Sequence, residues 1–245
     1  MRPSQTEARV GRTLTKPRTT FTNFRADSFR EHKAHMPDSH SGGGDIGEPG
    51  GIIPAHDRRS RHGHRGVVVW FTGLSGAGKS TLAHALGRVL FDRGMQVVVL
   101  DGDHLRHGLS SDLGFAPADR TENVRRVAEV ALLFAQVGTI AIVALISPYR
   151  ADRAQARQIA LEGGYDFIEV HVDASLEVCE RRDPKKLYQK ARAGLIKEFT
   201  GIDAPYELPE DPEVVVRTDV TGVGQSTDTL LHFLLRRLID SGREG

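Results

Sequence analysis

The chain has 245 residues, 39% of them apolar, which suffices for one well-filled core and excludes a second large catalytic domain. Its 33 Lys+Arg against 32 Asp+Glu leave a net charge of +1, so no overall field recruits nucleic acid or an anionic membrane. The single cysteine, Cys179, excludes an intramolecular disulfide framework and a Cys-based zinc site, and it fits a reducing, cytoplasmic setting.

Charge and composition change near residue 65. Residues 1–65 hold 12 basic and 7 acidic side chains but only 14 apolar ones, with 8 Gly and 5 Pro. Such a segment buries too little to offset the cost of ordering it, so residues 1–60 read as a disordered extension before a catalytic domain over 61–245. The six histidines of residues 1–65 lack a regular i, i+4 spacing and read as part of a solvated tail, not a metal site. No apolar run follows the basic N-terminus, which argues against a secretory signal.

From Gly66 onward, β-branched runs alternate with amphipathic stretches. Val67-Val68-Val69-Trp70-Phe71 predicts a buried strand, and Lys79 to Arg93 a helix that ends at Gly94. Val97 to Leu100 predicts a second strand. A helix follows, with Val124, Val127, Ala128, Ala131, Leu132 and Ala135 on one face, and Asp119 with Glu122 suggests a capping box at its start. Although 127–146 has the length of a membrane span, Glu129, Gln136, Gly138 and Thr139 interrupt it, so it reads as helix, turn and a strand from Thr139 to Ile146. Phe167 to Val172 and Val214 to Val216 supply two more strands, each followed by a helix, the last over 226–239. This alternation predicts an α/β fold of the P-loop type, a parallel sheet with helices on both faces.

Gly73-Leu74-Ser75-Gly76-Ala77-Gly78-Lys79-Ser80 matches G-x-x-x-x-G-K-[ST] between a predicted strand and a predicted helix. Its backbone N–H groups and the helix N-terminus would cradle phosphates, with Lys79 reaching the β- and γ-phosphates and Ser80 ligating Mg²⁺; Thr81 completes the loop. A GTPase-type Asn-Lys-x-Asp motif is absent, since the two asparagines, Asn23 and Asn123, precede Phe and Val. With one P-loop and a compact length, a small-molecule kinase is favoured over a GTPase or a transporter ATPase.

Asp101-Gly102-Asp103 ends the second strand, at the sheet edge where open α/β folds bind ligands. One carboxylate there could hold a water on Mg²⁺ and the other orient an acceptor hydroxyl. Arg106, Arg120 and Asn123 follow, the last two on one helical face, an arrangement suited to an anion. Phe115 and Phe199 lie in polar or Gly/Pro-rich stretches where stacking on a purine is a natural use. Pro148 is expected to hold Ser147 extended. The cation-rich stretch 181–192 reads either as a solvated basic helix or as part of a lid, about 181–201, over phosphates.

Taken together, the P-loop, Asp101 to Leu109, Asp112 to Phe115, Glu122 to Val127, Ile146 to Arg150, Lys190 to Gly194 and Phe199 to Asp203 closely resemble the adenylylsulfate kinases. The similarity runs from His62 to about Glu213. Departures are His104 for a usual Asn, Lys186 for a usual Gly, and Glu198 where Gly or Asn is common. The resemblance implies phosphoryl transfer from ATP, with Mg²⁺, to the 3′-hydroxyl of adenosine 5′-phosphosulfate in sulfate assimilation. It places Asp103, Arg106, Arg120, Asn123, Ile146, Ser147 and Lys185 around that acceptor, and Phe115 and Phe199 on either face of its adenine. Asp103 and Lys79 would carry catalysis, assisted by Asp101. It further implies a homodimer coupled to an ATP sulfurylase. Competing readings are a P-loop kinase for another metabolite and a nucleotide-binding regulator of a sulfurylase.

Overall fold

The computed structural model describes residues 53–240. Five strands, β1 (Val67–Thr72), β2 (Val97–Asp101), β3 (Ile140–Ala144), β4 (Phe167–Asp173) and β5 (Val214–Arg217), form one parallel sheet in the order β2-β3-β1-β4-β5. All six residues of central β1 are buried, which is why it reads as an unbroken apolar run.

Alternation along β1 builds two cores. Val67, Val69 and Phe71 pack with α2 (Lys79–Asp92) and α8 (Val223–Asp240) on one face. Val68 and Trp70 pack with α4 (Pro117–Gln136) and α5 (Arg150–Glu162) on the other. Every crossover therefore returns the chain to the same carboxyl edge, where the loops after β1, β2 and β3 converge. Short helices α3 (Gly102–Leu105), α6 (Leu176–Arg182) and α7 (Leu187–Arg192) stand at that edge.

Two local expectations change, and one helix had not been expected. Residues 55–60, expected to be unstructured, belong to helix α1 (Ala55–His62), whose C-terminal turn reaches Gly138. The remaining part of the expected extension, residues 1–52, lies outside the described residues. Asp119 is not a cap: Pro117 opens α4 with its ring-fixed φ, Ala116 is the capping position, and Glu122 is drawn away by Arg125 and Arg126. Helix α5, whose apolar residues are mostly alanine with charged residues interspersed, had no apolar pattern strong enough to predict it.

Candidate active site

The loop from Gly73 to Gly78 wraps the N-terminus of α2, and two of its glycines are required by close approach. A Cβ on Gly73, at φ 150°, would lie 2.4 Å from the Val172 carbonyl oxygen, and one on Gly76, at φ 76°, 2.8 Å from that of Cys179. Lys79 is buried, and its Nζ donates to the carbonyls of Gly73 (2.8 Å) and Leu74 (2.7 Å). Burial pushes its pKa down to about 8, a shift that neighbouring Lys185 reinforces and Cys179 and Asp101 oppose.

A cavity of about 1000 Å³ opens over this loop at the carboxyl edge of the sheet. Of the P-loop residues, Ser75, Gly76, Gly78, Lys79, Ser80 and Thr81 line it. Gly73, Leu74 and Ala77 do not: Gly73 and Ala77 form the buried back of the turn, and Leu74 is half-buried on its other side. Asp101, Asp103, Arg106, Phe115, Arg120, Asn123, Ile146, Ser147, Lys185 and Phe199 all line the same cavity. The topology thus gathers side chains spread from 75 to 199 into one space.

On its acceptor side, Asp101 uses one carboxylate oxygen to cap α3 through the Asp103 N–H at 3.0 Å. Asp103 meets the Lys185 ammonium, so the basic stretch reaches across to the end of β2. Arg106 stacks on the Phe115 ring, 4.3 Å from its centre, and donates to the Gly114 carbonyl. Burial lowers the pKa of Arg106, and neighbouring Arg120 adds to that; two crowded guanidiniums make this corner attractive to an anion. Asn123 is buried with its Oδ1 unpaired, although it faces the cavity. Such an orphaned acceptor is suited to a donor brought by a ligand.

Several details were not as expected. Ser147 is left-handed at φ 39°, not extended. Pro148 disfavours the right-handed helical region for it, and buried hydrogen bonds from Trp70 and Arg153 select the left-handed alternative. Phe199 is buried and packs edge-on against Tyr188 at 5.0 Å, so it belongs to the core as well as to the cavity wall, whereas Phe115 is 64% exposed. Arg120 spans from the Phe115 carbonyl to Thr200 and the Glu198 carbonyl, tying α4 to the loop that carries Phe199.

The stretch 181–192 is not a solvated helix. Asp183 accepts from Leu187 N and Gln189 N to start α7, and Tyr188, buried beneath the surface cations, donates to the Ser75 carbonyl at 2.9 Å. Lys186 and Glu198, two of the three departures from the resembled pattern, stand at φ 55° and 54°, where glycine is the easier residue.

Sequence reasoning missed the opposite wall. Arg182 donates to Gly76 and Thr218 carbonyls, and the Thr218 hydroxyl donates to the Ala77 carbonyl at 2.6 Å, bracing the P-loop from β5. The only sequence signal was position, since Thr218 follows β5 at the carboxyl edge and Arg182 belongs to the basic stretch.

A P-loop on a parallel sheet, facing an acceptor corner of carboxylates and cations across one cavity, defines a P-loop phosphotransferase. The sequence matches the family described as Adenylylsulphate kinase over residues 65–217. It is 51% identical over 182 residues to the adenylyl-sulfate kinase of Staphylococcus carnosus, covering 74% of this chain and 90% of that protein. Against the enzyme of Geotalea uraniireducens it is 54% identical over 187 residues, 76% and 89% of the two chains. Among solved structures, it resembles the Mycobacterium tuberculosis APS kinase CysC in complex with AMPPNP and APS, with a TM-score of 0.68 and 49% identity over 70% of this chain and 98% of that one. This chain belongs to the adenylyl-sulfate kinase family.

Proposed function

We propose that this protein transfers the γ-phosphoryl group of ATP to the 3′-hydroxyl of adenosine 5′-phosphosulfate, giving 3′-phosphoadenosine 5′-phosphosulfate for sulfate assimilation. The observation that carries this reading is the placement of the P-loop and of Asp103, Lys185, Arg106, Arg120 and Asn123 around one cavity. A regulatory subunit without activity would not need both Lys79 and Asp103 in that cavity, and another kinase would not need the paired arginines beside Asn123.

In this mechanism the P-loop amides and the α2 N-terminus bind the triphosphate, and Lys79, mainly protonated at neutral pH, stabilises charge on the transferring group. Asp103 accepts a hydrogen bond from the 3′-hydroxyl and aims its oxygen at the γ-phosphorus; the new O–P bond forms as the bond to the ADP oxygen breaks, and the hydroxyl proton passes to the Asp103 carboxylate. Lys185, already paired with Asp103, adds a cation at the point of transfer. Arg106, Arg120 and Asn123 hold the phosphosulfate nucleotide, with Phe115 and Phe199 flanking its base and the ledge Ile146–Ser147 below it. Segment 181–201 serves as the lid that excludes water.

Mg²⁺ fits the donor set. Ser80 and Asp101 face the cavity, and no cluster of three metal-ligating side chains occurs among the described residues, as suits an ion that arrives on phosphate and retains water. Ser80 and Asp101 would hold it, and when bound it would supply positive charge that neutralises the phosphates.

The chain works as a homodimer in the cytoplasm, coupled to the sulfurylase that makes its acceptor. Family resemblance supports the first and last points, and the lone cysteine supports the second. Among the described residues no helix is long and apolar enough to cross a membrane.

The deciding measurement is ATP consumption with adenosine 5′-phosphosulfate, AMP and sugar-type acceptors, in wild type and Asp103→Ala. Turnover is expected with the first acceptor alone, and the variant should lose about 10²-fold or more. Because Asp103 is 64% exposed, the variant should fold normally. Near-normal turnover in a folded Asp103→Ala protein would remove Asp103 from the mechanism.

A further inference from the structure

The ledge Ile146–Ser147 is held from behind by side chains that do not line the cavity. Thr72, at the end of β1 and next to Gly73, is fully buried, and its hydroxyl donates to the Ile146 carbonyl at 2.7 Å. A hydroxyl has one proton, so the Tyr206 hydroxyl, 3.0 Å away, must donate to Thr72 Oγ1. Tyr206 keeps that proton because burial pushes its pKa up to about 12. One residue therefore links the first glycine of the P-loop to the acceptor ledge.

Arg153 of α5 supplies the second link. Buried beneath the ledge, its guanidinium donates to the Ser147 carbonyl (2.7 Å), to Glu169 on β4 (2.8 Å) and to the Glu207 carbonyl (2.8 Å). Trp70 Nε1 donates to the Ser147 hydroxyl at 3.1 Å. These bonds hold Ser147 at φ 39°, a conformation that a non-glycine residue keeps only where its surroundings over-determine it.

We propose that Thr72 and Arg153 are positioning residues: they fix the Ile146–Ser147 backbone against the P-loop and so set the acceptor hydroxyl in line with the γ-phosphate. The inference rests on the reading that this ledge meets the acceptor. Phosphoryl transfer is governed by placement, and a misplacement of about 1 Å can cost on the order of 10²-fold in rate. A bracket anchored in the sheet supplies that placement without touching either substrate.

The test is steady-state kinetics with ATP and adenosine 5′-phosphosulfate varied independently. Thr72→Val keeps volume and branching but removes the proton; Thr72→Ser keeps the proton. Thr72→Val is expected to lose about tenfold or more in kcat/KM for the acceptor while KM for ATP stays within about twofold, and Thr72→Ser to remain near wild type. Arg153→Lys, which keeps the charge but not the three-way fork, should show the same split and covers the case in which Thr72→Val does not fold. Unchanged acceptor parameters, equal losses for both substrates, or equal damage from Val and Ser would overturn the inference. A wild-type protein inactive on this acceptor would instead overturn the activity on which it rests.

Discussion

Lys79→Met is expected to abolish turnover and at the same time raise the thermal midpoint of the nucleotide-free protein. The ammonium is buried, and burial brings its pKa from the ordinary 10.5 down to about 8. At ~1.4 kcal/mol per pH unit, holding that charge in the fold costs about 3 kcal/mol at neutral pH. Methionine removes this cost and fills similar space, but it leaves the Gly73 and Leu74 carbonyls without their donor, at ~1 kcal/mol each. The net gain is about 1–2 kcal/mol, or roughly 3–6 °C in a domain of this size.

The sign fixes how the gain varies with pH. The unfolded chain keeps a proton on Lys79 up to about 10.5, whereas the folded protein releases it near 8. The penalty is therefore full below pH 8, shrinks as the pH rises towards 10.5, and is absent above it. Melting curves of wild type and variant, recorded without nucleotide from pH 7 to 10.5, should converge towards about pH 9, where the remaining penalty equals the ~2 kcal/mol of lost hydrogen bonds, and then cross, with the wild type the more stable at pH 10.5. A variant less stable than wild type at pH 7, or a difference independent of pH, would refute the argument that burial of the charge is what weakens the fold.

Phe115→Ala and Phe199→Ala should both raise KM for the acceptor more than KM for ATP, but only the second should melt earlier, by about 3–5 kcal/mol, since Phe199 is packed on Tyr188 and Phe115 is exposed. Equal effects on both substrates would remove the rings from the acceptor pocket. His64 is buried, accepts from Gln96 N at 3.0 Å, and has its pKa lowered chiefly by burial. Its contribution to stability is thus complete above 6.5 and is lost as the pH falls from there towards its folded-state value; a melting midpoint that drops no further in wild type than in His64→Gln between pH 7 and about pH 5.5 would contradict this. Deleting residues 1–52 should leave activity and melting unchanged, whereas deleting 1–60 removes most of α1 and should lower the midpoint.

What could be read from the chain alone was what depends on a few neighbouring residues. The apolar run of β1, the glycine spacing of the P-loop and the Asp101-Gly102-Asp103 turn at a strand end each state their local geometry, and all appear where expected. The 3.6-residue period of α4 located the helix, yet its start followed Pro117 because a ring-fixed φ outweighs a side-chain cap whose partner is captured by arginines. Helix α5 escaped because its buried face joins two charged residues, Asp152 and Arg153, to two alanines: Arg153 is paired with Glu169 on β4 and one oxygen of Asp152 accepts from Thr121 on α4, partners that no local pattern reveals.

The tertiary structure alone decided which side of a residue does what. Whether Phe199 was core or ligand surface, whether the basic stretch was solvated or anchored through Tyr188, and where Arg120 and Lys185 reach depend on contacts across up to about a hundred intervening residues. Those contacts are set by the parallel register and by crossovers that bring β1, β2 and β3 to one edge. Ser147 shows the limit most plainly. Its proline neighbour narrows the backbone to a few regions, and only buried donors from β1 and α5 choose among them.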